Sequence, residues 1–315
     1  MTNQGHIFKG IIAIVIASFL WGTTGTAASY AHNVSSLGIG AFSTGVGGLL
    51  LALFAHRRIQ LDYKRLLAQP MLILLGSACV AIYPLAFYNA MRFSGVAIGT
   101  IISIASAPFF SVLLERLISK KYISLHWVIS FIIGAVGIVF LAMGKSYENS
   151  SLNNYLLQNM GVLLGLLAGL TYAGYSWAAK HLIEKGVHSQ SSVAVQFGIA
   201  ALFLLPSLWF TGENIFSTMM NTSVVIYMAF APMFLGYLLF GFGLKSIDAS
   251  RATLITLIEP LVATLLAIYI VGEKFKMIGW VGMGLVLLCL LLQTIPFNFN
   301  RQKTATVSTP LMREY

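Results

Sequence analysis

Charge is what this chain has least of. Asp, Glu, Lys and Arg together make up 9% of its 315 residues, where soluble domains carry roughly 25%. Acids are the scarcer sign, nine against nineteen bases. Cysteine is nearly absent as well. Cys79 and Cys289 each lie inside a long apolar run, so neither a disulfide framework nor a CxxC metal site can form, and both read as reduced packing residues. No HExxH, GxSxG or Walker pattern occurs, which excludes the common zinc-hydrolase, serine-hydrolase and nucleotide-driven chemistries by motif. His32, His56, His126, His181 and His188 fall at expected helix ends or loops, without acids at metal-ligand spacing. No catalytic residue, metal or cofactor is expected.

What remains is apolar. Hydrophobic residues make up 58% of the chain, more than a soluble fold of this length could hide. A spanning helix needs about 20 mostly apolar residues. Ten segments qualify: Phe8–Tyr30, Ser36–Ala55, Pro70–Met91, Val96–Ile118, Leu125–Met143, Asn159–His181, Gln190–Phe210, Thr222–Leu244, Ser250–Val271 and Met277–Ile295. They are too long and too rich in Leu, Ala and Gly for barrel strands. Lys9, the apolar run Ile11–Leu20 and Thr26-Ala27-Ala28 form a weak signal-like pattern, but the repeat described below argues that this segment is retained as a helix.

The net charge of +10 sits in short loops and reads as a topology signal rather than a nucleic-acid footprint. With the N-terminus inside, only Arg92, Lys145, Lys274 and Lys276 fall outside. The other fifteen bases fall inside, which expects both termini in the cytoplasm of a multi-pass inner-membrane protein. Polar stretches at Lys145–Asn154 and Glu213–Asn221 make outside loops.

The chain repeats itself. Gly10–Tyr30 aligns with Gly161–His181 at an offset of 151, pairing Trp21 with Tyr172. Phe87–Pro108 aligns with Leu239–Pro260 at an offset of 152, pairing Ser94 with Ser246, Ala97 with Ala249 and Pro108 with Pro260. Trp127 matches Trp280 one residue further on. Five helices per unit is an odd number, so the second unit enters the membrane from the opposite side. The expected organisation is an all-α integral membrane fold of ten transmembrane helices in two inverted repeats, 1–145 and 159–296. An outside linker, 146–158, joins them, and a cytoplasmic tail, 297–315, follows. Inverted repeats suit alternating access around a site near the midplane, and a receptor or scaffold has no need of them.

The residues resemble the drug/metabolite transporter superfamily, and within it the EamA-type ten-helix transporters. Glu259-Pro260 followed by Gly272-Glu273-Lys274 looks like that family's C-terminal signature, and Trp21-Gly22 looks like its first-helix pattern. The first half departs from it: Ala107-Pro108 stands in place of Glu-Pro, and Ser119-Lys120-Lys121 in place of Gly-Glu-Lys. The resemblance implies a secondary transporter that exports small metabolites such as amino acids or related compounds. Alternatives are drug efflux, import or exchange of a nucleotide-related metabolite and, outside transport, a membrane sensor or intramembrane enzyme. Partners implied are a small-molecule substrate, the lipid bilayer and protons as coupling ion, in a monomer or homodimer.

Candidate site residues follow from polarity inside spans. A carboxylate in hydrocarbon is costly unless it is paired, protonated or facing water, so Glu259 is a candidate for proton coupling or for a substrate amine. The bland alternative is a structural carboxylate bonded to a neighbouring helix. Trp21 and Tyr172, matched in the repeat, could floor a central cavity. Tyr83, Tyr88, Tyr175 and Tyr237 join them, with Asn89 and Gln196 as buried polar candidates. Thr100, Ser103 and Ser106, and Thr253, Thr256 and Glu259, recur at spacing three along one face each. Those faces either line a polar path or bond their own backbone. Glu115 with Arg116 reads as an interfacial ion pair or gate contact, and Glu273 with Lys274 as a helix-end anchor. The GxxxG steps Gly161–Gly165–Gly169 and Gly95–Gly99, and the bare second helix with Gly40, Gly45, Gly47 and Gly48, read as packing or hinge surfaces.

Overall fold

A computed structural model describes residues 3–94, 96–144, 155–272 and 275–294. The expectations for Gly95, Glu273, Lys274, the linker at Lys145–Asn154 and the tail after Pro296 lie outside the described residues. Ten apolar helices follow one another: α1 (Gly5–Ser29), α2 (Ser36–Leu67), α3 (Pro70–Ser94), α4 (Gly99–Leu117), α5 (Leu125–Leu141), α6 (Leu156–Glu184), α7 (Ser189–Thr211), α8 (Met219–Leu244), α9 (Ala249–Ile270) and α10 (Met277–Gln293). Among the described residues, eight are long enough to cross a membrane, and α5 and α10 are shorter. Large apolar side chains face outward, Trp209 at 90% and Phe203 at 69% exposure. That outer surface is what a lipid solvent requires.

The packing repeats with the sequence. The helix pairs α2–α7 and α5–α10, each joining equivalent helices, pack along their lengths. The contact of α3 and α4 with α6 is mirrored by that of α8 and α9 with α1. The result is ten helices in two inverted halves of five. Close approach at the α5–α10 crossing needs bare backbone: a β-carbon on Gly282 would lie 2.3 Å from the Leu141 nitrogen. On α6, Gly161, Gly165 and Gly169 press against Ser94, Ile102 and Ser106, the packing role read from their spacing.

One helix outruns its expected end. The sequence stops the second span at Ala55, where charge begins, but α2 continues to Leu67. At a rise of about 1.5 Å per residue its 32 residues reach well beyond a hydrocarbon core of roughly 30 Å. His56 therefore lies inside a helix rather than in a loop. The extension is held because Asp62 is buried and capping. Its Oδ2 accepts from the His188 backbone N–H at 2.9 Å and from the Ser191 hydroxyl at 2.7 Å, both at the start of α7. The His188 ring completes the turn by accepting from the Gln190 N–H. Burial, then the charges of Lys245 and Arg58, lower the His188 pKa. The neutral ring that can accept is thus favoured, and this cap weakens only as pH falls through the lowered value. The mirror clamp lies at the opposite end. Asn221 accepts from the His32 N–H and donates to the His32 carbonyl, and Asn214 donates to the Asn33 carbonyl.

Replacing Asp62 by Ala leaves two buried donors at the head of α7 without an acceptor. It should cost about 2–3 kcal/mol, visible as a lowered thermal midpoint of the purified protein. Asp62→Asn should recover part of the loss.

Candidate functional site

Three helices depart from regular α geometry, and their irregular segments face one another. α1 breaks into two helical pieces, Asn3–Gly22 and Thr24–Ser29. α8 winds as a π-helix over Ala229–Leu235, around Pro232. α9 is interrupted between Ala249–Ile255 and Ile258–Leu266. Proline explains the last two locally, since Pro232 and Pro260 carry no N–H and leave carbonyls without helical partners. The Trp21 indole N–H donates to the Pro232 carbonyl at 2.9 Å. Across the α9 break the Glu259 N–H bonds the Thr256 carbonyl at 2.9 Å. α1 and α9 nearly touch here, because a β-carbon on Gly22 would sit 2.8 Å from the Glu259 carbonyl oxygen.

Around these segments lies a cavity of about 670 Å³, counting space open to solvent. The first half lines it with Trp21, Thr24, Gly40, Ser43, Thr44, Val80, Tyr83, Pro84, Phe87 and Tyr88. The second half contributes Tyr172, Tyr175, Phe197, Met228, Met233, Tyr237 and Glu259. The aromatic wall is continuous. Trp21 meets Tyr172 edge-on at 6.5 Å and Tyr237 at 4.9 Å, Tyr172 stacks on Tyr175 at 5.2 Å, and Tyr83 tilts against Tyr172 at 5.6 Å. The repeat-matched pair Trp21 and Tyr172 thus meets where the halves join.

The structure brings together seven of the residues selected from sequence: Trp21, Tyr83, Tyr88, Tyr172, Tyr175, Tyr237 and Glu259. It leaves three out of the lining. Asn89 donates to its own helix at the Leu85 carbonyl, and Ser103 donates to the Gly99 carbonyl. Thr256 lies behind the wall, accepting from the Tyr172 hydroxyl at 3.0 Å and donating to the Thr253 carbonyl. Hydroxyl periodicity therefore marks bonding to a helix's own carbonyls, a local sink that competes with any ligand. Gln196 is structural too, its amide bridging the Tyr175 carbonyl and the Ala179 N–H. Sequence reasoning looked for the fourth helix in the lining and overlooked the second and seventh, which supply Gly40, Ser43, Thr44 and Phe197. The bareness of the second helix was the available signal. At Gly40 the absent side chain makes room for the Tyr88 ring, 2.4 Å from where a β-carbon would sit.

One end of the bundle is latched shut beneath the cavity, and every contact joins the two halves. The Lys121 ammonium donates to Glu184 at 2.8 Å and to Asp248 at 2.6 Å. Glu115 accepts from the Ser250 N–H at 3.1 Å and from its hydroxyl. Trp177 donates to the Ser119 hydroxyl, and Trp127 to the Ser250 carbonyl. Glu115 is therefore a contact between halves but not an ion-pair partner of Arg116, which lies over the Tyr122 ring at 5.6 Å. Burial works to lower the Lys121 pKa, but the bonds and charges of Asp248 and Glu184 outweigh it and raise the value above normal. The ammonium therefore stays charged through neutral pH and loses its proton only under strongly alkaline conditions.

A cavity between inverted halves, closed below by contacts that both halves share, fits a multi-pass membrane transporter. The comparisons give the family. The model of the EamA-like transporter family matches twice, at residues 8–143 and 159–295, and the chain belongs to that family, within the drug/metabolite transporter superfamily. It is 33% identical over 305 residues to YwfM of Bacillus subtilis (strain 168), described as an uncharacterized transporter, covering 96% of this chain and 98% of that one. It is 24% identical over 237 residues to YedA of Escherichia coli (strain K12), an uncharacterized inner membrane transporter, covering 72% of each. A crystal structure matches with a TM-score of 0.73 at 16% identity, over 90% of this chain and 95% of that one, which is a likeness of fold.

Substituting Gly40 by Ala places a β-carbon against the Tyr88 ring and drives that ring into the cavity. Solute transport in proteoliposomes should fall several-fold at low solute concentration, while the thermal midpoint stays close to that of the parent.

Proposed function

We propose that this protein is a secondary transporter that exports small amine-bearing metabolites, amino acids or related compounds, across the inner membrane by alternating access. The observation that carries this reading is an inter-half cavity together with ion pairs between the halves that, among the described residues, lie at one end. That latch joins helix ends whose loops and flanks carry Arg57, Arg58, Lys120, Lys121, Lys180, Lys185, Lys245 and Arg251. By the positive-inside rule this end is cytoplasmic. The conformation described is then closed to the cytoplasm, with its cavity on the outer side.

Glu259 is the reading's chemical centre. It stands in the first turn of the second α9 segment and lines the cavity. The aromatic wall cannot neutralise it, and no Lys, Arg or His shares the lining. A buried carboxylate in that position can hold either a proton or a substrate ammonium, and exchange between the two couples outward solute movement to inward proton movement. The absence of cationic side chains from the described lining also argues against a nucleotide-related anion as solute.

The test is counterflow of an amino-acid and amine panel in proteoliposomes, followed by efflux under an imposed pH gradient. Transport should be driven by the gradient in the parent protein and should lose that dependence in Glu259→Gln. Unchanged pH dependence in the variant would remove Glu259 from the coupling role.

A further inference from the structure

We infer that the cavity selects its solute as an organic monocation, an amine with an apolar body and no free carboxylate, rather than as a zwitterionic amino acid. This rests on the transport reading above and narrows its substrate class.

The first observation is charge. Glu259 is the one formally charged side chain in the described lining, and nothing there offers a positive countercharge. Its carboxylate has four phenols within electrostatic reach, Tyr83, Tyr88, Tyr172 and Tyr237. A solute ammonium beside Glu259 meets one opposite charge and several aromatic faces, whose negative quadrupoles attract cations. A solute carboxylate meets the same negative faces and one like charge.

The second observation is the state of the donors. A carboxylate could still bind if the wall aimed free N–H or O–H groups at it. Most wall donors are already engaged. The Trp21 N–H bonds the Pro232 carbonyl, and the Tyr172 hydroxyl bonds Thr256. The Tyr175 and Tyr237 hydroxyls bond each other at 2.9 Å. Thr24 and Ser43 donate to carbonyls of their own helices, and Thr44 to the Met233 sulfur. Broken helices in transporters can present bare N-termini to anions, but at the α9 break most of the amides are taken. The amides of Thr256, Leu257 and Glu259 are bonded to the Ala252, Leu254 and Thr256 carbonyls, and Pro260 has no N–H. The hydroxyls of Tyr83 and Tyr88 and one of the Tyr175–Tyr237 pair remain as neutral donors. An anionic group would therefore meet hydroxyls but no positive charge, with the Glu259 carboxylate as a like charge beside it, the costly case for a buried charge.

An isosteric series tests this on the purified full chain. Phenylethylamine, phenylalanine methyl ester, phenylalanine and phenylpropionate share one ring and differ in charge. Binding is read by calorimetry in detergent and transport by counterflow in liposomes. The two cations should bind at least tenfold more tightly than phenylalanine, and phenylpropionate should not bind. Glu259→Gln should abolish that cation preference, and Glu259→Asp should retain it, which separates recognition from folding. Phenylalanine binding as tightly as its methyl ester would overturn the inference, as would failure of both cations to bind or an unchanged preference in Glu259→Gln. Cation binding without counterflow of any probe would sink the transport reading and leave the selectivity standing. Counterflow of phenylalanine but not of the cations would do the reverse.

Discussion

A membrane interior offers no water to a backbone, so each peptide group must find its partner within the protein. The rest of this structure follows from that constraint. It makes the chain helical and confines irregular backbone to places where other helices can supply the missing bonds. The broken turn of α1, the π-helical stretch of α8 and the interrupted α9 come together for this reason. A neighbour meets the α8 stretch where Trp21 reaches the Pro232 carbonyl, and the breaks of α1 and α9 are bridged within their own helices, from the Thr23 N–H to Leu20 and from the Glu259 N–H to Thr256. The cavity lies where regular helices could not close, and its described lining holds no cationic side chain.

The second theme is unequal treatment of the two halves. Clamps at both ends of the α2–α7 side, Asp62 against the start of α7 and Asn221 against the α1–α2 loop, are present together. That side can serve as a fixed frame. The latch is different. At the repeat offset of 152, Asp248 and Ser250 correspond to Val96 and Ile98, and Glu115 corresponds to Ala267. Three of the latch residues therefore have apolar counterparts in the other half, whereas Lys121 corresponds to Lys274 and Glu184 to Asn33. Two halves alike in fold but unlike in latch chemistry favour one conformation over its mirror image, and the difference lies in the partners of the latch, Asp248, Ser250 and Glu115. Glu259 shows the same inequality at the site itself, because its counterpart is Ala107.

Much of this was legible in the sequence. Long apolar runs fix helices in a bilayer, and an odd number of them per repeat fixes the inversion. Aromatic residues inside spans located most of the cavity wall, since a phenol or indole there must find a polar partner and tends toward the protein interior. The hydroxyl stripes left two readings open, a polar path or bonds to their own backbone, and Ser103 and Thr256 take the second. The length of α2 was hidden because its charged end reads as a loop until Asp62 is seen capping another helix. Gly40 and Phe197 were missed because a glycine reveals a cavity only once its neighbour is known to be Tyr88. The latch escaped because Lys121, Glu184 and Asp248 are far apart in sequence and meet only through the fold.

The central claim is that the two ends open in alternation and that the Lys121 bridge holds one of them closed. Spin labels at Lys120 and Ser246 report the latched end, and labels at Arg92 and Tyr269 report the other. Distances are measured in the parent and in Lys121→Met, reconstituted in lipid. The account predicts that loss of the bridge lengthens the first distance and shortens the second in the same molecules. Unchanged distances, or a lengthening at both ends, would contradict it.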